Sequence, residues 1–394
     1  YTLSLTTLFR STKILLSYLL ISFNSFIFAL ENKDKNFLKI GVLAPFSGEL
    51  KGFGEEILYS INLALHDIDD SNIKIYPKDS GSENKKIKKA CEEFEKDGIK
   101  VVVGPVESKS TKDLYSCENL IFLSLSNMDS NIKNNVLMMG INLESQLISI
   151  KKFINKENKK KTIILYPEND YSKHIEKNIK LINFPNSKKF KYSQNPEKLT
   201  KQIEKLTNYK QRKMNLESRV KKLEGSEELK DIRELNKLKQ RYTLGKVNFD
   251  SVIILDFGDS LKSVLTSLAY TDVADKDILI ITGNQWFDKG ILEETSINNF
   301  YFPSINLNNY RNFNKSFFKV YNYKPNEISI LAYDSVGLIY YLWKNLGAIK
   351  SINDFNFKKD IKGKLGKFRI SENKVIQDLN IYRIKEGKFI QNKF

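Results

Sequence analysis

Polar side chains that could hold a small ligand stand just after several apolar runs of this chain. Ser47, Ser108, Ser126 and Asn127 each follow a short stretch rich in Val, Ile, Leu and Phe. If those stretches are parallel strands, their carboxyl ends meet at one edge of a sheet, where hydroxyl and amide groups can hydrogen-bond a ligand. Ser and Asn also cap turns and helices, so each of the four has a structural interpretation beside the binding one.

Residues suited to catalysis do not form a recognisable group. His66 lies in the middle of a predicted helix and His174 near the start of another, and neither follows a nucleophile signature. The sequence has no G-x-S-x-G elbow, no H-E-x-x-H pair and no phosphate-binding glycine loop. Its two cysteines and two histidines lack the spacing of a zinc site. We therefore predict a protein that is not an enzyme and that has no metal site and no cofactor.

The elements that would position the polar residues alternate between strand and helix with short connections. This pattern is typical of parallel sheets covered by helices on both faces. The alternation runs from 38 to 141 and begins again at 143, which predicts an α/β fold with two doubly wound parallel-sheet lobes. The predicted boundaries are 37–141 plus 305–350 for lobe 1, and 142–304 plus 351–394 for lobe 2 and a hinge tail.

Residues 196–245 interrupt the second alternation. Asn195 and Pro196 supply a helix cap and a first-turn proline. Apolar residues then recur at spacings of three and four, which predicts a charged helical hairpin inserted in lobe 2, with one narrow apolar stripe per helix. Over 196–249 the chain has 15 Lys and Arg against 8 Asp and Glu. Two interpretations remain open, a solvated spacer and an arm that docks onto a partner.

The first 29 residues have the features of a signal peptide. Lys13 precedes an apolar run that ends at Ala29, and polar residues follow. The run is shorter than a membrane-spanning helix requires, although an uncleaved anchor is the alternative. The residues around the predicted cleavage site include no lipobox cysteine, so we expect export without a lipid anchor there.

Export changes the interpretation of the charge and of the two cysteines. The formal charge of +17 fits a solvated basic surface or an anionic partner, and an exported protein is not expected to bind nucleic acid. Cys91 and Cys117 lie on predicted helices that cover the same face of a sheet. They could form a disulfide in an oxidising compartment or remain two buried thiols.

Several segments resemble the type I periplasmic binding proteins of the Leu/Ile/Val-binding class. They include IGVLAPFSG, VVVGPVESKSTKDL, TIILYPENDYSKHI and ILAYDSVGLIYYL, in the order and spacing of that class, over roughly residues 38–390. Within the class, FDSVIILDFGDSLKSVLTSLAY, ITGNQWFD and the helical insert before them are most similar to the penicillin-binding protein activator family. The resemblance implies two lobes that close over a ligand cleft.

The resemblance also implies which residues face the cleft. The loops 45–48, 106–110 and 124–128 of lobe 1 would lie opposite 168–171, 256–259 and 283–286 of lobe 2. Amino-acid-binding members carry a carboxylate-binding serine and a lobe-2 tyrosine where this chain has Ser108 and Tyr171. Such members also hold the ligand ammonium with an acid, but the 283–286 loop has none, so Asp256 or Asp259 would have to substitute. The predicted ligand-binding residues are thus Ser47, Ser108, Ser126, Asn127, Tyr171, Asp256 and Trp286.

The function implied by the activator family is to bind and stimulate a cell-wall synthase in the periplasm, and so to regulate peptidoglycan synthesis. The alternative is the solute-binding subunit of an ABC importer, which would deliver an amino acid or another small polar solute to its permease. Under either interpretation a small polar ligand could occupy the cleft. The lack of a lipobox cysteine departs from the activator pattern.

Overall fold

The structure is a computed structural model that describes residues 37–81, 83–128, 132–273, 278–284, 299–356, 359–385 and 388–391. The predicted signal peptide at 1–29 and Trp286 lie outside the described residues. None of the helices in the described part of the chain is both long and apolar enough to cross a lipid bilayer.

The first sheet contains eight strands among the described residues, in the order β11 (Ile361–Lys362), β12 (Lys367–Ser371), β13 (Lys374–Gln377), β5, β4, β3, β1 and β2. The five strands at one side are parallel, and four of them are almost wholly apolar and buried because helices cover both faces of the sheet, whereas the edge strand β2 is only partly buried and includes two lysines. Val102 packs into the cluster on one face, whereas Val101 and Val103 pack into the cluster on the other. These five strands are β1 (Leu38–Ala44), β2 (Ile73–Asp79), β3 (Val101–Val103), β4 (Ile121–Ser124) and β5 (Val136–Met138).

The helices of the first lobe follow the predicted alternation. The helix predicted over 108–119 is shorter than expected. The α-helix there covers only Ser108–Thr111, and a 3-10 segment at Lys112–Ser116 follows it. The long helix that follows residue 328 packs lengthwise on the first helix of the described residues. The helices of this lobe are α1 (Lys51–Ile68), α2 (Asn84–Lys96), α3 (Ser108–Thr111), α10 (Leu307–Tyr321) and α11 (Ser329–Leu346).

The second sheet contains seven strands among the described residues, in the order β15-β14-β10-β9-β8-β6-β7. Strands β10, β9, β8, β6 and β7 are parallel to one another, and β14 and β15 add an antiparallel edge beside β10. Its strands are β6 (Thr162–Pro167), β7 (Ser187–Tyr192), β8 (Ser251–Ile254), β9 (Leu279–Thr282), β10 (Asn299–Ser304), β14 (Asn380–Lys385) and β15 (Lys388–Gln391). The helices that cover it are α4 (Leu143–Lys156), α5 (Ser172–Ile182), α6 (Pro196–Leu206) and α9 (Gly258–Tyr270).

The C-terminal segment differs from its predicted assignment to lobe 2. Strands β11 (Ile361–Lys362), β12 (Lys367–Ser371) and β13 (Lys374–Gln377) belong to the first sheet, and only β14 and β15 join the second. Lys374 of β13 lies opposite Met138 of β5, and its ammonium forms an ion pair with Glu144 at 2.6 Å. Within the described residues the chain therefore passes between the lobes after β5, after β10 and after β13.

A disulfide joins Cys91 of α2 to Cys117, which follows the 3-10 segment. Both residues are buried in the apolar cluster that contains Phe94 and Phe122. The sequence left two buried thiols and a disulfide as alternatives, and the structure has the disulfide. The bond fixes the segment after β3 to the helix before it.

The insertion contains three helices between 196 and 238, a region that is described throughout. The first, α6, is a regular helix of the second lobe, because Leu199 and Ile203 are buried in the main core. The two others are α7 (Tyr209–Leu223) and α8 (Leu229–Leu238), which form the predicted helical hairpin. The hairpin is therefore shorter than the predicted 196–245.

Candidate functional site

A cavity of about 570 Å³ lies between the two lobes. Residues that follow β3, β4 and β5 of the first sheet line one side, and residues that follow β6, β8, β9 and β10 of the second sheet line the other. The carboxyl ends of parallel strands are where doubly wound folds bind ligands. The volume is in the range of small-molecule sites.

The first-lobe wall of the cavity depends on close packing of neighbouring strand exits. A Cβ on Gly140 would lie 2.2 Å from the carbonyl oxygen of Ser126, so glycine is needed where the chain leaves β5. The exits of β3 and β4 are also joined, because the Ser124 hydroxyl donates to the carbonyl of Pro105 at 3.2 Å. The predicted residues of this lobe that line the cavity are Ser108, Ser126 and Asn127.

The second-lobe wall contains the predicted residues Tyr171 and Asp256. Asp256 is buried, and its carboxylate accepts hydrogen bonds from the hydroxyl of Tyr192 and, at 2.8 Å, from the backbone N–H of Phe257. Burial raises the pKa of Tyr192, and the negative charge of Asp256 raises it further. The tyrosine therefore stays a proton donor that holds this carboxylate in place.

One predicted site residue in the described part of the chain, Ser47, is not among those that line the cavity. Ser47 lies beside the end of β2, where its hydroxyl donates to Asp79 at 2.6 Å and accepts from Lys86 at 2.9 Å. Burial alone would raise the pKa of Asp79, but hydrogen bonds from Ser47 and its neighbours outweigh it and lower the pKa to about 2. Ser47 thus belongs to a polar cluster between β2 and α2. Trp286 lies outside the described residues.

The structure adds cavity residues that the sequence did not single out. Gln146 of α4 lines the cavity, and its side-chain oxygen accepts the backbone N–H of Asn284 at 3.0 Å. Glu327, just before α11, and the exposed ring of Phe257 line it as well. The N-terminal end of a helix can line the cavity as a loop does. The sequence shows where helices begin, but only the three-dimensional structure shows which of these ends reach the cavity.

We expect Tyr192→Phe to lower the free energy of unfolding by about 2 kcal/mol. The variant removes the hydroxyl that donates to the buried carboxylate of Asp256, and hydrogen bonds to charged groups are worth about 1.5–3 kcal/mol. Urea unfolding at neutral pH measures the change. Tyr242→Phe, at a side chain that is 71% exposed, is the matched control and should change stability by less than about 0.5 kcal/mol. Equal stability of the two variants would contradict the assigned bond.

The helical hairpin α7–α8 is a second candidate site. Leu216, Leu223 and Leu238 form its small apolar core. Arg219 and Glu234 join the two helices by paired hydrogen bonds of 2.8 and 2.9 Å. Hydrogen bonding by Arg219 also lowers the pKa of Glu234, so the pair stays ionised. The hairpin therefore has its own packing and presents its remaining side chains to solvent.

Arg212 fixes the base of the hairpin to the second lobe. Its buried guanidinium donates to the carbonyl oxygens of Gly245 at 3.2 Å, Thr271 at 2.9 Å and Asp272 at 3.1 Å. It also donates to the hydroxyl of Thr243 at 2.8 Å, which in turn donates to the carboxylate of Asp272 at 2.6 Å. Bonds to several backbone positions hold the hairpin in one orientation relative to α9.

No known protein family matches the sequence, and no curated protein matches it. Among solved structures, the chain is similar to the C-domain of LpoA from Haemophilus influenzae, a regulator of PBP1A, with a TM-score of 0.60 and 15% identity over 90% of this chain and 100% of that one. Full-length LpoA from the same organism gives a TM-score of 0.61 and 14% identity over 91% of this chain and 60% of that one. The leucine binding protein LivK from Thermotoga maritima gives a TM-score of 0.51 and 13% identity over 90% of this chain and 98% of that one.

These similarities, at identities of 13–15%, concern the fold. The chain has the type I periplasmic binding protein fold, and the resemblance predicted from its motifs is confirmed at that level. The similar structures are binding or regulatory proteins. The fold itself is compatible with both the regulator and the importer subunit.

Proposed function

We propose that this chain is a non-enzymatic periplasmic protein that regulates peptidoglycan synthesis by binding a cell-wall synthase. The observation that carries the proposal is the helical hairpin, a basic arm held in one orientation by Arg212. The disulfide between Cys91 and Cys117 supports a location outside the cytoplasm, because structural disulfides form in oxidising compartments. The similarity in fold to LpoA, a regulator of PBP1A, is consistent with this role.

The surface of the hairpin combines the features of a protein-binding face. Leu229 and Ile232 lie three residues apart on α8, so they share one face of the helix, and they are 73% and 40% exposed. Exposed charges of both signs flank that apolar pair in sequence, among them Lys221, Lys222 and Lys237 and the acids Glu227 and Glu228. Residues 209–238 have 9 Lys and Arg against 6 Asp and Glu, so the hairpin as a whole is net basic and fits an acidic patch on the synthase, where opposite charges give specificity and speed association.

Reversing three charges on the hairpin tests this role. We expect Lys221→Glu, Lys222→Glu and Lys237→Glu together to weaken binding of a purified penicillin-binding synthase by about tenfold or more, since like charges would then face each other. Surface plasmon resonance with the full-length chain measures the affinity. Charge reversal is preferable to deletion of 196–245, because that segment includes Leu199 and Ile203 of the core.

The matched control reverses Lys85, Lys88 and Lys89, three exposed lysines of α2 in the first lobe. This variant has the same net charge as the hairpin variant, so it accounts for the general effect of charge on association. The control should bind the synthase nearly as well as the natural chain. Undiminished binding by the hairpin variant would rule out the hairpin as the docking surface.

A second candidate function is that of a solute-binding subunit, which would carry a small polar solute to an ABC permease. The observation in its favour is the cavity of about 570 Å³, which is lined from both lobes as expected for a ligand trapped by lobe closure. A ligand at about 100 times its dissociation constant stabilises the folded state by about 2.7 kcal/mol. Thermal unfolding with a broad panel of amino acids measures this, and an unchanged melting temperature throughout would count against amino-acid transport.

A further inference from the structure

The walls of the interlobe cavity have a distinctive chemistry. Much of the lining is aliphatic, and Leu125, Ile141, Leu255 and Leu331 represent it on both lobes and on α11. The chain contains 64 Lys and Arg residues, yet none of the described residues that line the cavity is one of them. The charged residues on the described walls are both acids, Asp256 and Glu327. A basic protein thus encloses a cavity whose described walls are apolar and acidic.

The two acids differ in what they already bind. The carboxylate of Asp256 is held by Tyr192 and by a backbone N–H. Glu327 is half-buried beside Ile328, and no described residue donates a hydrogen bond to its carboxylate or forms an ion pair with it. A partly desolvated carboxylate attracts a cation more strongly than one in bulk water, because the effective dielectric is lower. Glu327 is therefore the group on these walls that best suits a positive charge.

Neutral donors and acceptors complete the site. The side-chain oxygen of Gln146 is occupied by the N–H of Asn284, which leaves its amide NH₂ to face a ligand. Ser126 accepts the N–H of Met128 at 3.2 Å, which leaves its hydroxyl hydrogen to donate. These groups can orient a ligand, but they supply no positive charge that would balance a carboxylate or a phosphate.

We propose that the interlobe cavity binds a small amphipathic amine, with its hydrocarbon body against the aliphatic walls and its ammonium on Glu327. The proposal rests on the second candidate function, capture of a solute between the lobes, and it names the chemical class of that solute. An ammonium donates up to three hydrogen bonds, so a carboxylate and a neighbouring carbonyl or hydroxyl satisfy it. The zwitterion of an amino acid would in addition have to bury a carboxylate opposite two acids.

Two matched series of probes test the proposal with the full chain. In each series the hydrocarbon body is kept and the charge is changed: isoamylamine, leucine and isocaproate form one series, and phenethylamine, phenylalanine and hydrocinnamate form the other. Isothermal titration calorimetry at millimolar ligand measures the affinities. We expect at least one of the two amines to bind, and to bind about tenfold or more tightly than the amino acid and the acid of its series.

Glu327→Gln tests the position of the ammonium. The variant keeps the shape of the side chain and removes its charge, so the bound amine should be held about tenfold to a hundredfold more weakly. Glu157→Gln, at an exposed glutamate after α4, is the matched control and should leave the affinity unchanged. Binding of neither amine, tighter binding of an acid, or unaltered affinity in Glu327→Gln would overturn the proposal. Tight binding of leucine or phenylalanine would also overturn the amine proposal, but it would support the second candidate function, capture of a solute between the lobes.

Discussion

Replacing Arg212 with methionine is expected to lower the free energy of unfolding by about 3–5 kcal/mol. Methionine fills the space of the aliphatic stem, but it cannot donate to the carbonyl oxygens of Thr271, Asp272 and Gly245. Those acceptors are then left without their donor in a buried site, and unpaired buried polar groups are costly. Burial lowers the pKa of Arg212, and the charge of Asp272 only partly opposes that shift, as expected for a guanidinium removed from bulk water. Urea unfolding of the full chain measures the loss.

The same substitution should also free the hairpin from the second lobe. The hairpin is rich in lysine and arginine, so limited trypsin digestion under native conditions reports its detachment as faster cleavage between 208 and 243. Lys213→Met is the matched control, because Lys213 is exposed on the same helix and should change stability by less than about 0.5 kcal/mol. A loss of less than 1 kcal/mol in Arg212→Met would show that the hairpin is held mainly by its apolar contacts.

The sequence predicts the parallel part of the fold well because buried parallel strands leave a local signal. Val101–Val103 is apolar at every position, since helices cover both of its faces. The antiparallel strands near the C-terminus have no such signal. The segment KVIQ at 374–377 is buried as a strand, but its partner Met138 is far away in sequence, so nothing local shows which sheet it joins.

Periodicity has a similar limit in the insertion. Leu199 and Ile203 recur at the same spacing as the apolar residues of the hairpin, so all three helices show one apolar stripe. The stripe shows that a helix face is buried, but it does not show what buries it. For α6 it is the core of the second lobe, whereas α7 and α8 bury their stripes against each other.

The candidate site shows which features a strand-and-loop pattern can locate. Ser108, Ser126, Asn127, Tyr171 and Asp256 follow strands and line the cavity, as expected for residues at carboxyl strand ends. Ser47 also follows a strand, but the neighbouring β2 ends in Asp79, which binds its hydroxyl. Glu327 precedes a helix of the first lobe, where the sequence predicted it to be, but the local pattern did not show that the start of this helix would reach the cavity.

Asp334 gives the second large effect, a dependence of stability on pH. It lies within α11, is 7% exposed, and its carboxylate accepts the backbone N–H groups of Lys364 at 2.7 Å and Leu365 at 3.1 Å. Burial raises the pKa of Asp334 from its ordinary value of 3.8 to about 6, and the two hydrogen bonds and the charge of Lys364 only partly offset that rise. The folded protein therefore retains a proton on Asp334 over a range in which the unfolded chain has lost it.

The sign of the effect follows from this proton balance. Between about pH 4 and pH 6 the folded state binds more protons than the unfolded state, so stability falls as the pH rises through this window. A shift of about two pKa units corresponds to a loss of about 3 kcal/mol, complete above about pH 6. Other carboxylates, such as Asp79 with its pKa lowered to about 2, contribute stability that is lost as the pH falls below about 4, so they act outside most of this window.

Asp334→Asn isolates this contribution because the amide keeps the shape of the side chain and does not titrate. At pH 4 the natural side chain is a neutral carboxyl group, and the variant should be somewhat less stable, since the hydroxyl oxygen of that group can still accept a backbone N–H whereas the NH₂ group of the variant cannot. As the pH rises to 7, the natural chain should lose about 3 kcal/mol relative to the variant. Urea unfolding of both proteins at intervals across this range measures the difference. Parallel stability curves would mean that Asp334 is ionised in the folded protein at pH 4, and that the N–H groups of Lys364 and Leu365 overcome its burial.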